Sequence, residues 1–499
     1  MAAAPQTPSV SLYSAQGAFA FAAAVTAWRL FTLATNHLNL SFDEAQYWIW
    51  ARQLEFGYFS KPPLIAWVIA LTTQVCGEGE TCVKLGSPLA YMGSSLALFA
   101  LGRELYGPRV GFWSAVVFVT LPAVSLSSMI ISVDPFLILF WALGLVALIR
   151  AIATESLRWW LLLGVMIGLG LLTKYAMAFF VLSLITYLVW SPERRGLLRR
   201  PGPWLAVGVG LAMLAPNVLW NMDNHFVTFV HTKANANISG LKFHPGKAAE
   251  FIGSQFLVFG PLLFGTLLAI IAAARRMAAA DEGVRLLLAF ILPTAVIMTA
   301  ESFLSRANAN WAAPIYVGAT VLVIGWAFGD EARRGRARLV HASLALHLIA
   351  AVALYNGEAL ARVAGFGLSE KTDLAKRVRG WDKVGQSVAR VWATHPDTRL
   401  LFDHRRVMTT LTYYIHPHPF NAAKWNESGR VSNHFDLTAD LALDPRGSFL
   451  LVTEEPNADH VAPWFTRSEL LSVIRVPLYP GYAREVRVFR VEGFKGYGR

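Results

Sequence analysis

The 499 residues are 55% hydrophobic, 12% aromatic and 15% charged; a soluble domain carries about a quarter charged residues, so composition excludes an ordinary cytosolic enzyme. The net charge is +12, but Lys and Arg fall largely in short loops between apolar runs, which argues for membrane topology and against nucleic acid as a partner. The two cysteines, Cys76 and Cys82, are too few for thiolate metal clusters or a disulfide-framework fold.

Met1–Pro8 lacks the basic region of a cleaved signal, so the first apolar run, Gly17–Thr35, reads as a retained anchor. Crossing a bilayer core takes about 20 apolar residues, with shorter runs tolerated inside a bundle. Eleven spans are expected near 17–35, 84–102, 110–131, 135–150, 159–173, 174–190, 203–221, 251–273, 285–300, 311–328 and 338–355. Basic loops at Arg103 and Arg109, Arg150 and Arg158, Arg194 to Arg200, Arg275 to Arg285 and Arg333 to Arg338 then share one side, the cytoplasmic one, with the N-terminus. The Ala-rich chain looks bacterial, so the expected location is the inner membrane. The run Pro63–Cys76, about 14 residues, would invert every later loop if it crossed. It is expected instead as an interfacial or re-entrant helix on the outer face.

The first external loop therefore runs over residues 36–83 and holds both cysteines, for which a disulfide and two free thiols are equally weighted. The organisation expected is a polytopic α-helical membrane domain, 1–355, and a C-terminal extracytoplasmic α/β domain, 356–499. In the latter, Leu400–Phe402, Ser448–Thr453 and Val486–Val491 read as strands and Val384–Trp392 as a helix.

Ionisable groups near membrane depth are costly and mark function. On the outer side they are Asp43, Glu44, Lys61, Asp134, Lys174, His225, His231 and Glu301. Each has a plainer explanation. Asp43 suits a helix cap ahead of Glu44–Leu54; Asp134 precedes Pro135 as an N-cap would; Lys174, between two apolar runs, suits snorkelling. Lys61 sits in a rigid Pro-Pro turn among aromatics and is harder to explain that way. Lysines with one or two carboxylates on an outer membrane face suit transfer from a lipid phosphate. Cations neutralise the leaving phosphate, and a carboxylate deprotonates the attacking hydroxyl. There is no P-loop or Rossmann glycine fingerprint.

Asp43-Glu44 after the first span, Gly57-Tyr58-Phe59-Ser60-Lys61-Pro62-Pro63-Leu64, Ser132-Val133-Asp134-Pro135, Leu172-Thr173-Lys174-Tyr175 and Asn310-Trp311-Ala312-Ala313-Pro314 occur in this order. The set resembles the bacterial GT-C glycosyltransferases, relatives of the protein O-mannosyltransferases and of the lipid A aminoarabinose transferase. The resemblance implies an inverting transfer from a polyprenyl-phosphate sugar at the periplasmic face. It implies Asp43 as general base, or as the residue orienting the acceptor, with Glu44 and Asp134 in support. Lys61 and Lys174 are the implied donor-phosphate ligands. Tyr58, Tyr175, Asn221, His225 and Asn310 are the implied lining of the substrate cavity. Ser60-Lys61 stands where the aminoarabinose enzyme has Glu-Lys, which puts a metal site there in doubt; no cofactor is indicated, and a divalent metal is compatible but not called for.

The partners expected are a polyprenyl-phosphate-linked sugar, the bilayer and an envelope acceptor. Lipopolysaccharide core or lipid A is favoured over protein, because the short external loops offer little surface to a protein. The competing readings are a flippase of a lipid-linked sugar, a protein O-glycosyltransferase, and a scaffold whose His404, His416 and His418 bind metal. External Lys233, Lys242 and Lys247 suit an anionic acceptor or lipid phosphates. The sequons at Asn39, Asn237 and Asn426 matter only in a eukaryotic lumen.

Overall fold

A computed structural model describes residues 13–36, 38–236, 243–329, 334–373 and 375–498. Lys242 and the sequon at Asn237 lie outside these residues. The chain forms two compact units. The first holds the chain up to Thr32, Lys61–Leu64 and Lys84–Asn356; the second holds Leu33–Ser60, Ile65–Val83 and Gly357–Arg499. Both are discontinuous, because most of the first external loop groups with the C-terminal residues.

Six described helices are long and apolar enough to cross a membrane: Ala15–Thr35, Glu80–Tyr106, Asp134–Thr154, Pro201–Asp223, Glu282–Leu304 and Arg334–Tyr355. Leu157–Thr173, Tyr175–Trp190 and Ile315–Phe328 are apolar but shorter. Two expected spans are interrupted. The run 110–131 forms helices Pro108–Thr120 and Pro122–Ser127, since Pro122 drives Leu121 out of the helical region to ψ 141°. The run 251–273 forms Pro245–Val258 and Pro261–Ala272, bent by 116°. The bend lies at Gly260, whose φ of +88° suits only glycine, and a Cβ there would meet His347 Nε2 at 2.2 Å.

Small residues let Leu157–Thr173 and Pro201–Asp223 approach closely: a Cβ on Gly164 would lie 2.7 Å from the Ala206 carbonyl, and one on Gly210 2.7 Å from Ile167. This contact sets the end of the first helix, at Lys174, beside the end of the second. Deeper in the bundle, Trp141, Phe180 and Phe290 pack edge to face, with Trp141 to Phe180 centroids 5.2 Å apart.

The second unit is built on a five-stranded sheet. Its strands are β1 (Thr398–Phe402), β2 (Ala423–Lys424), β3 (Ser448–Thr453), β4 (Phe465–Tyr479) and β5 (Tyr482–Phe494), in the order β2-β1-β3-β5-β4. The first three are parallel and β5 pairs antiparallel with both β3 and β4. The three expected strands are present. Sequence reading missed β4, an edge strand whose Arg467, Glu469 and Arg475 break up any apolar run. It also missed helix Arg405–Tyr414, whose Thr and Tyr residues are strand-prone and become helical through packing.

That helix carries the external loop. Tyr413 donates to the Glu78 carbonyl at 2.7 Å, the Leu40 amide donates to the Tyr414 hydroxyl at 2.6 Å, and Tyr414 itself donates to Glu80. Burial and the Glu80 charge together push the Tyr414 hydroxyl pKa upward. Glu78 also accepts from Trp48 Nε1 and Arg52, both at 2.6 Å. Cys76 and Cys82 are disulfide-bonded, so the turn bearing both glutamates is closed covalently.

His434 packs against the rings of Trp50 and Tyr58, its Nδ1 buried without a hydrogen bond among the described residues. Burial, reinforced by the Arg405 charge, lowers its pKa to about 4. A histidine depressed in the folded state stabilises above its unfolded pKa, and that stability is lost as pH falls through the folded value. Acidification from pH 6.5 to 4 is therefore expected to remove about 3 kcal/mol. Thermal unfolding of wild type and His434→Gln across that range checks this; equal slopes would refute it.

Candidate functional site

In the membrane unit, the expected polar residues gather at helix ends. Asp134 opens Asp134–Thr154 but does not cap it: the cap is Val133, without a side-chain bond. The Asp134 carboxylate instead accepts from Lys174 Nζ at 2.8 Å and from Asn310 Nδ2 at 2.5 Å. Lys174 sits at the break between Leu157–Thr173 and the 3-10 turn Tyr175–Met177, in extended conformation. Its ammonium is held by a carboxylate and does not simply snorkel. Lys61, which belongs to the same unit, lies close enough to act on Asp134 electrostatically. Lys174 is thus paired with Asp134, and Lys61 adds a longer-range positive field at the same carboxylate. The Lys174–Asp134 pair is partly buried, with 22% and 13% of the side chains exposed.

Next to Lys174, Tyr175 donates to Asn217 Oδ1 at 2.7 Å and accepts a long bond from Asn221 Nδ2 at 3.4 Å. Its ring stacks on Phe229 with centroids 4.7 Å apart. Asn217 and Asn221 are fully buried on the last turns of Pro201–Asp223, and Asn221 Oδ1 accepts from the Thr228 amide at 3.3 Å. Asn217 lies one turn before Asn221 on the same helix, so both amides face Tyr175. His225 and Phe226 both have φ of 55°, a costly left-handed conformation for non-glycine residues. The His225 side chain is exposed and makes no hydrogen bond among the described residues, so it does not join the cluster.

Asp43, Glu44 and Tyr58 belong to the second unit. Helix Phe42–Trp50 is capped by Ser41, whose hydroxyl accepts from the Glu44 amide while Glu44 Oε2 accepts from the Ser41 amide at 2.8 Å. This capping box corrects two expectations. Glu44, not Asp43, is the capping carboxylate, and it is buried in that task. Asp43 is left half-exposed, and its Oδ1 accepts from Arg405 Nη2. Arg405 also donates Nε to Gln46 Oε1 at 2.5 Å and lies over the Phe42 ring. Tyr58 is corrected too. It is buried, stacked on Trp50, and its hydroxyl donates to the Trp50 and Gln53 carbonyls at 3.0 and 2.9 Å, so it closes the loop after the helix and does not line a cavity. Burial raises its pKa to about 12.

Chemically, the lysine-rich cluster suits an anion such as a phosphate, and the accessible Asp43 carboxylate suits proton acceptance. Among the described residues no three His, Cys, Asp or Glu side chains group as a metal site.

The chain is similar to several known proteins. A family profile described as dolichyl-phosphate-mannose-protein mannosyltransferase matches residues 60–220. The lipid A galacturonosyltransferase RgtD of Rhizobium johnstonii is 29% identical over 433 residues, covering 86% of this chain and 89% of that protein. An undecaprenyl phosphate-α-4-amino-4-deoxy-L-arabinose arabinosyl transferase of Pseudomonas savastanoi is 33% identical over 36% of this chain and 34% of its own length. A crystal structure of ArnT from Cupriavidus metallidurans bound to undecaprenyl phosphate has the same fold, with TM-score 0.63, 16% identity and coverage of 96% of this chain and 98% of that one.

Proposed function

From membership of the GT-C glycosyltransferase superfamily, which includes the protein O-mannosyltransferases and the lipid A aminoarabinose transferases, we infer that the chain transfers a sugar from a polyprenyl phosphate to lipid A or the adjoining lipopolysaccharide core. The observation that carries this reading is the Lys174–Asp134–Asn310 cluster at the helix ends of the membrane unit, with Lys61 in the same unit. The ammonium group of Lys174 at this carboxylate, with Lys61 in the same unit, suits a phosphate, while Asn310 fixes the carboxylate's second oxygen. The overall likeness to a lipid A galacturonosyltransferase favours a hexuronic acid as the sugar.

In the proposed reaction an acceptor hydroxyl oxygen attacks the anomeric carbon, the bond from that carbon to the phosphate oxygen breaks, and polyprenyl phosphate leaves against Lys61 and Lys174. The hydroxyl proton passes to Asp43. Attack opposite the departing phosphate inverts the anomeric centre. Tyr175, Asn217 and Asn221 shape the wall beside Lys174. The arrangement proposed is eleven crossings of a bacterial inner membrane, with a cytoplasmic N-terminus and residues 356–499 in the periplasm.

Mass spectrometry of lipid A, core oligosaccharide and envelope proteins from a deletion strain tests this reading. Loss of one uronic acid from lipid A or core, restored by the wild-type gene, is the expected result. Loss from an envelope protein instead would make the acceptor a protein. Unchanged glycans with polyprenyl-phosphate sugars redistributed across the membrane would overturn transfer in favour of transport.

A further inference from the structure

Resting on the reading of Asp43 as the base, we propose that Arg405, from the C-terminal part of the chain, is a positioning residue that aims the Asp43 carboxylate. Arg405 Nη2 binds Asp43 Oδ1 while Nε binds Gln46 Oε1, so both arms of one planar guanidinium grip the same helix, Phe42–Trp50, at positions three residues apart. The Phe42 ring lies beneath the guanidinium carbon at 5.1 Å, which fixes its plane. Only Oδ1 is engaged. Oδ2 carries no hydrogen bond among the described residues and is the oxygen left to take a proton.

The root of Arg405 is fixed as well. It is the first residue of Arg405–Tyr414, behind the His404 cap, and the far end of that helix is tied to the Glu78–Glu80 turn through Tyr413 and Tyr414. Placing Arg405 and Arg406 in a first turn opposes the helix dipole, which favours acidic groups there. Each arginine is offset by a carboxylate, Arg406 by Glu454 and Arg405 by Asp43. A residue of the C-terminal part of the chain thus supports the proposed base.

The test uses the full chain in lipid nanodiscs, with polyprenyl-phosphate-linked galacturonic acid as donor and extracted lipid A as acceptor. Arg405→Gln should lower kcat by about 10- to 100-fold, as expected for a misaimed catalytic group, with the donor KM unchanged. Arg405→Lys keeps the charge without the fork and should fall in between. In an Asp43→Asn background Arg405→Gln should cause no further loss. Wild-type kcat in Arg405→Gln, with Asp43→Asn inactive, overturns this inference alone. Full activity of Asp43→Asn overturns the base assignment beneath it. An added loss in the Asp43→Asn background shows that Arg405 acts by another route and also overturns the proposal. If Arg405→Gln fails to fold, Arg405→Lys decides: wild-type kcat in that variant rejects the fork.

Discussion

Replacing Asp43 by Asn is expected to lower the transfer rate by about 10²- to 10⁴-fold, the contribution typical of a positioned general base, while expression and donor binding persist. The amide has the shape of the carboxylate and still offers an oxygen to Arg405, but it cannot take the acceptor's proton. Stability should change little, because the cap of helix Phe42–Trp50 is made by Ser41 and Glu44. Asp43, half-exposed, supplies none of it. The check is kcat with a polyprenyl-phosphate sugar and lipid A, beside donor binding and thermal unfolding of the same preparation. Full transfer by Asp43→Asn would remove the base assignment. Lost transfer together with lost folding would make Asp43 structural.

The separation of tasks between Asp43 and Glu44 was readable in the sequence. Ser41-Phe42-Asp43-Glu44 is the Ser-x-x-Glu pattern of a capping box, and recognising it assigns the cap to Glu44. The bend at 260 was also signalled, since Gly260-Pro261 interrupts the run, but an apolar stretch of the right length masked it. Other features are illegible because they join residues far apart in the chain. Lys174 meets a carboxylate 40 residues away, and Arg405 one 362 residues away. Periodicity reports which face of a helix is apolar and says nothing of which distant helix end will lie beside it. Hydropathy marked the six long apolar helices for the same reason that it missed β4 and Arg405–Tyr414. Bilayer-spanning segments announce themselves by composition, whereas elements of a small mixed domain depend on tertiary packing.

Lys174→Ala is expected to weaken donor binding at least tenfold, about 1.4 kcal/mol, and to destabilise the membrane unit separately. Removing one partner of a buried ion pair costs about 3 to 5 kcal/mol; the partial exposure of this pair, the Asn310 bond and the field of Lys61 put the expected loss at no more than about 3. The two effects separate in the double variant Lys174→Ala with Asp134→Asn. Neutralising Asp134 removes the stranded carboxylate, and the amide can still pair with Asn310, so much of the stability should return. Donor affinity should not return, because the ammonium that faces the phosphate is still missing. Donor titration and thermal unfolding of the single and double variants measure both quantities. If the double variant recovers affinity along with stability, Lys174 serves only to hold Asp134, and the phosphate must be bound without it. If Lys174→Ala leaves donor affinity unchanged, Lys174 is no phosphate ligand, and Lys61 would have to supply the charge with a partner drawn from outside this cluster.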